Sequence, residues 1–254
     1  MSYAQGGPPL LTDDPGTPGN GHWEINIAAT VDAAPGRSAP AGYTFETPII
    51  DLNYGWGPRI QLKLEWPWLE RAGAEVAASG PGNPLAGVKW RPIGMGEGDG
   101  LSVSTYPQIA LRSTDRAVAQ GLAEPAGALL LPIEVREGIG RTVLDGEAGY
   151  RFGARDERAV VYGAIVGETV SARVELLAEV HDELAISPSD SANGGTHNLT
   201  AVSFVQRHTV IANVGARVGL SAHETLLLSV GHGVAISGGE PEGVQGYAGV
   251  QLVF

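Results

Sequence analysis

Hydrophobic residues recur at every second position along much of the chain. In Ile60-Gln61-Leu62-Lys63-Leu64-Glu65-Trp66 four apolar residues alternate with an amide, a cation and an anion, the pattern of a strand with two unlike faces. Residues 142–152 repeat it: Leu144, Ala148, Tyr150 and Phe152 share one face, and Asp145, Glu147 and Arg151 the other. At 172–181, Val174, Leu176, Ala178 and Val180 oppose Arg173, Glu175, Glu179 and His181. Glu and Leu would also suit a helix there, but the unbroken alternation and Val170, Val174 and Val180 favour a strand. Such runs predict about twelve strands, at 23–32, 44–55, 58–68, 84–92, 100–112, 125–136, 141–152, 157–167, 169–182, 207–220, 223–234 and 244–254.

The links between these runs alternate in length. Those at 55–58, 137–140, 167–169 and 221–224 are short and rich in the Gly, Pro and Ser of tight turns. Those at 32–43, 69–83, 113–124, 185–206 and 235–243 are long. The 94–99 link exceeds a minimal turn, and the 153–157 link is brief for its side. Sorting of loops by parity predicts an all-β fold, an up-and-down antiparallel transmembrane β-barrel with its short turns periplasmic. An even strand count puts both termini at that end.

Alternation does not say which medium the apolar face meets. It could pack inward in a soluble β-barrel or sandwich, or outward against lipid. Aromatic residues near the strand ends (Tyr54, Trp56, Trp66, Trp68, Phe152 and Phe254) favour lipid, because a membrane barrel carries interfacial girdles. No run looks guarded by charge as a soluble edge strand would be. Pro48, Pro107 and Pro132 remove ladder donors inside the expected strands, which predicts bulges or shifted boundaries.

Composition narrows the possibilities further. Across 254 residues, 16 Lys plus Arg face 28 Asp plus Glu, and the net charge of -12 works against nucleic acid as a partner. The absence of cysteine excludes disulfides and thiolate metal sites. No apolar run approaches the ~20 residues of a membrane-spanning helix, so a closed barrel is the remaining way across a bilayer. The N-terminus lacks a basic stretch followed by an apolar one, so an exported chain would have lost its signal, with Tyr3-Ala4-Gln5 as the scar behind an added Met1. The Pro- and Gly-rich opening, residues 1–22, is expected to stand apart from a barrel over 23–254, either periplasmic or partly plugging the lumen. Its Asp13 and Asp14 would find lumen cations such as Lys89 or Arg91, which predicts occlusion.

Catalytic spacings are missing. Gly219-Leu220-Ser221-Ala222-His223 lacks the second glycine of a nucleophile elbow, and no histidine pair has H-E-x-x-H spacing. The glycine-rich 94–100 stretch has neither Walker nor dinucleotide spacing. The sequence therefore predicts no enzyme, cofactor or metal. The chemistry that remains lies on the polar strand faces: Asp51, Gln61, Lys63, Glu65, Lys89, Arg91, Asp145, Glu147, Arg151, Arg173, Glu175, Glu179 and Arg217 are the candidate lumen-lining residues. They read as a charged channel lining or as a salt-bridged plug filling a fairly narrow barrel. Lys63 is expected to lie near Glu65 on its own strand and Asp51 on the next.

Three segments resemble the outer-membrane transporter-like β-barrels of the MetA-pathway of phenol degradation family. They are PLLTDDPGTPGNGHWE at 9–24, PIIDLNYG at 48–55 with Arg59-Ile60-Gln61-Leu62 and Glu65-Trp66-Pro67, and NVGAR at 213–217 running to YAGVQLVF at 247–254. The resemblance implies a barrel of the bacterial outer membrane that passes small, hydrophobic or aromatic compounds. Its partners would be outer-membrane lipid, the barrel-assembly machinery and a small-molecule solute. Phe254, which shares a strand face with Ala248, Val250 and Leu252, would be the assembly signal, with Tyr247 one position off that register. No catalytic or ligand-binding residue is implied. Two functions stay open: a channel or transporter, and a non-transporting barrel that is structural or binds through its loops.

Overall fold

The computed structural model describes residues 7–34, 42–73, 77–95, 100–124, 127–153, 158–188, 204–237 and 243–254. Fourteen strand segments follow in order: β1 (Trp23–Ala34), β2 (Gly42–Gly55), β3 (Ile60–Gly73), β4 (Ala78–Pro81), β5 (Leu85–Ile93), β6 (Gly100–Thr105), β7 (Gln108–Ala110), β8 (Leu129–Ile139), β9 (Thr142–Phe152), β10 (Arg158–Ser171), β11 (Val174–Pro188), β12 (Phe204–Gly219), β13 (Glu224–Ser237) and β14 (Val244–Val253). One short helix, α1 (Asp115–Ala119), is capped by the Thr114 side chain. Thirteen of these make a wall of twelve strands, because β6 and β7 are two halves of one strand and β4 pairs only with β3, outside the ring. Each wall strand is antiparallel to its neighbour, and β1 pairs with β14 from Glu24↔Val253 to Ala33↔Val244, which closes the barrel.

Closure settles which way the alternation points. On β11 Leu176, Ala178 and Val180 are exposed, whereas Leu177 and Glu179 are buried; on β3 Leu62 and Leu64 are exposed and Gln61 is buried. The barrel is thus apolar outside and polar inside, the reverse of a protein folded to face water. Trp23, Trp56, Trp90 and Phe254 lie exposed toward the short-turn end, and Tyr43, Phe45, Trp68 and Phe152 toward the other. Two aromatic belts result, as a bilayer with two interfaces requires.

Several expected boundaries move, and the expected 69–83 loop contains the end of β3 and the whole of β4. The turn expected at 167–169 lies at 172–173, since β10 stays paired with β9 as far as Glu168↔Thr142 and cannot turn earlier. Gly167 is accordingly a wall residue and Arg173 belongs to a turn. The 137–140 turn shifts to 140–141 for the same reason, and β11 and β12 extend well into the expected 185–206 loop. The prolines mark irregularities. Pro48 lies where the register of β2 with β3 shifts, and Pro107 separates β6 from β7. Pro132 faces that same break, where its carbonyl accepts from Thr105 Oγ1 (2.8 Å) and Tyr106 N (3.4 Å). Residues 189–203, 96–99 and 1–6, including Tyr3-Ala4-Gln5, lie outside the described residues.

Candidate functional site

The polar inner wall is organised around the segment that precedes β1. Residues 7–22 enter from the short-turn end, where Gly21 N donates to Gly55 O (2.8 Å), Gly55 N to His22 O (2.9 Å) and Gly57 N to Asn20 Oδ1 (3.1 Å). From there the segment crosses the interior. The Pro15 carbonyl accepts from Arg91 on β5, Leu11 N and Thr12 N donate to Glu179 on β11 (3.0 and 2.5 Å), and the Pro9 carbonyl accepts from Ser229 on β13 (2.6 Å). Leu10 packs against Ile165 and Leu177, a small apolar contact in a polar interior. Two wall glycines make room for it. A Cβ on Gly163 would come within 2.0 Å of Thr12 Oγ1, and one on Gly55 within 1.7 Å of the Gly19 carbonyl oxygen. A side chain at Gly55 would displace the backbone of the segment, and one at Gly163 would push the Thr12 side chain aside.

Charge holds its centre. Lys89 Nζ lies 2.8 Å from Asp13 and 3.2 Å from Glu134, stands 4.5 Å over the Tyr106 ring, and donates to the Asp14 carbonyl. Arg136 binds Asp145 through Nε (2.7 Å) and Nη2 (2.9 Å), and also pairs with Asp14. Asp13 N donates to Glu147 (2.7 Å). Burial works to raise the pKa of Asp14, but the charges of Arg136, Lys89 and Arg217 outweigh it and hold this carboxyl below its ordinary range.

A second network lines β1 to β3. Asn26 and Asn53 donate to Asp51 Oδ2 (3.1 and 3.0 Å), and Gln61 donates to Asn53 (2.8 Å) and Tyr106 (3.1 Å). Lys63 sits between Asp51 (3.4 Å) and Glu65 (2.9 Å).

Twelve of the thirteen sequence-derived candidates lie on wall strands: Asp51, Gln61, Lys63, Glu65, Lys89, Arg91, Asp145, Glu147, Arg151, Glu175, Glu179 and Arg217. Arg173 does not. It falls in the exposed β10–β11 turn, because that turn comes later than expected. Arg151 pairs with Glu183 at the long-loop end, away from the central contacts, and Arg217 pairs with Glu175 (3.1 Å) near the opposite end. Residues absent from the candidates turn out to be central: Glu134 and Arg136 on β8, and Tyr106 between β6 and β7. The alternation Ile133-Glu134-Val135-Arg136 carried the signal for the first two, hidden behind the apolar run before it. Among the described residues, no cluster of His, Asp and Glu has the makings of a metal site.

A larger open space lies beside these contacts. At the short-turn end, beyond Arg136 and Arg217, lies a cavity of about 690 Å³ rimmed by the turns at 140–141, 171–173 and 219–222.

No family model matches the chain, and no curated protein aligns with it. Solved structures do. The COG4313 outer membrane channel from Pseudomonas putida F1 aligns over 92% of this chain and 96% of its own, with a TM-score of 0.69 at 15% identity. The NanC porin aligns over 91% and 98% (TM-score 0.55, 8% identity), and the KdgM porin, solved with disordered oligogalacturonate, over 91% and 99% (TM-score 0.53, 9% identity). The chain has the fold of the bacterial outer-membrane β-barrels.

Proposed function

We propose that this protein is a channel of the bacterial outer membrane for small solutes, closed in the present state by its own N-terminal segment. In this division residues 1–22 are the plug and residues 23–254 the pore. The observation that carries it is the course of residues 9–15, which run from β13 to β5 through the barrel interior on side-chain contacts and charge. A segment built only to brace the wall would not need its carboxylates placed against lumen cations. The candidate lumen residues on the wall strands, among them Lys63, Lys89, Arg91, Glu179 and Arg217, would then line the path that opens when the plug leaves, with Arg151 at its outer mouth. The similarity in fold to an outer membrane channel and two porins supports transport. The resemblance of three sequence segments to the phenol-degradation family supports small, hydrophobic or aromatic cargo. Outer-membrane lipid around the wall, the solute within it and the barrel-assembly machinery during insertion are the partners this function needs. No chemical step is assigned to the protein.

A non-transporting barrel is the second reading, favoured by the density of buried ion pairs across the lumen. Planar-bilayer recording separates the two. The intact protein should pass little current, and a variant lacking residues 1–20 should show discrete, several-fold larger steps. Current through neither protein would reject the channel. Equal current through both would reject the plug.

A further inference from the structure

The cavity at the short-turn end differs from the rest of the interior. The lumen pairs its charges within itself, but four guanidinium groups, those of Arg136, Arg141, Arg173 and Arg217, line this space against one carboxylate, Glu175. In a chain of net charge -12 with 16 basic residues, that is a local concentration of positive charge. Three of the four have counter-ions: Arg136 is matched by Asp14 and Asp145, Arg217 by Glu175 at 3.1 Å, and Arg141 loosely by Glu168 at 3.8 Å. Arg173 has no ion pair among the described residues, and the buried Nε of Arg217 has no acceptor. Donors for one anionic group are therefore left over. Between the guanidiniums the cavity wall carries Val143, Val174, Ala172 and Ala222 for an apolar body, interspersed with the hydroxyl residues Thr169, Ser171, Ser221 and Thr225.

We infer that this vestibule binds an organic monocarboxylate with an apolar body, its carboxylate taken by the rim arginines and its body by the valines and alanines. The planar fork of arginine suits a carboxylate, and a focused positive mouth raises the local concentration of anions in an otherwise acidic protein. The single uncompensated cation selects one negative charge over two. The valines and alanines select against small hydrophilic anions. Binding stands on this geometry alone; only the step from bound anion to cargo rests on the channel function proposed above.

Benzoate is a suitable probe, with benzyl alcohol as its neutral counterpart and acetate as the carboxylate without the ring. Titration calorimetry in a nonionic detergent should show benzoate binding that weakens at least about tenfold in an Arg141→Gln/Arg173→Gln variant. Both substitutions lie in turns outside the plug contacts, so folding should be intact by thermal unfolding. Benzyl alcohol and acetate should each bind at least about tenfold more weakly than benzoate. Benzoate binding unchanged in the variant, or absent from the native protein, would overturn the site. Benzyl alcohol bound as tightly as benzoate would reduce it to an apolar pocket, and acetate bound as tightly would reduce it to a plain anion site; both overturn the assignment. The channel is tested separately by the bilayer recordings. A barrel that conducts but ignores benzoate sinks the vestibule alone, and one that binds benzoate but never conducts sinks the channel alone.

Discussion

A carboxylate withdrawn from water keeps its charge only where cations outweigh the lost solvation. Asp14 meets that condition, fully buried with Arg136 and Lys89 beside it. Its folded pKa lies below the ordinary 3.8, so it is a depressed carboxylate. Such a group adds stability that is present above its unfolded pKa and is lost as pH falls through the folded one. Asp14→Asn should therefore cost roughly 3 kcal/mol in unfolding at neutral pH, because it leaves buried cations short of a partner. The gap between variant and native protein should persist at about pH 5 and close only in stronger acid, when the native Asp14 is itself neutral. Denaturation as a function of pH measures it, and a gap already closed at about pH 5 would contradict the assignment. Much at this scale was legible in sequence. Lys63 between Asp51 and Glu65 follows from strand alternation and one tight turn; charge alone puts Asp13 and Asp14 near lumen cations such as Lys89 or Arg91, of which Lys89 pairs with Asp13. Asp14 was not resolved further. Its partner Arg136 is more than a hundred residues away, and only the closed ring brings the two together.

Strands were the most readable elements, because the two media a barrel separates write opposite residues onto its two faces. Their ends were less so. Gly167-Glu168-Thr169 has turn composition but lies in a ladder whose length is set by β9, which no local signal reports. Pro107 did announce a break, and the β6–β7 gap lies there. Strand depth makes a prediction the sequence could not. Val180 and Leu176 both face outward, yet Leu176 is two residues from the start of β11, near the interface, and Val180 is six residues in. Val180→Arg should then cost about 2–4 kcal/mol and Leu176→Arg about 1 kcal/mol or less. Reversible unfolding in lipid vesicles gives both values. Equal costs would mean that the two positions lie at the same depth, and a reversed order would invert the assigned placement of the wall in the bilayer.

At the scale of the whole molecule, the seam between β1 and β14 turns a sheet into a barrel. It joins the two strands that lie furthest apart in the sequence. The ladder ends on Phe254, whose N–H donates to Trp23 O (3.0 Å) and whose carbonyl accepts from Trp23 N (2.7 Å). These backbone bonds do not depend on the ring, which projects outward, 59% exposed, at the short-turn interface. A side chain so exposed makes few contacts with the rest of the barrel. We propose that this outward-facing ring on the seam strand is read during insertion, before β1 and β14 pair. The ring's contribution is therefore expected in assembly rather than in stability. Phe254→Ala should refold in detergent with a melting temperature close to that of the native protein, because both seam hydrogen bonds survive. In cells the same variant should accumulate as unassembled, protease-sensitive chain. Deleting Phe254 removes the two bonds as well, so it should lower the melting temperature and worsen assembly further. Normal insertion of Phe254→Ala would end the assembly role, and a large loss of stability in detergent would assign the ring to the fold instead.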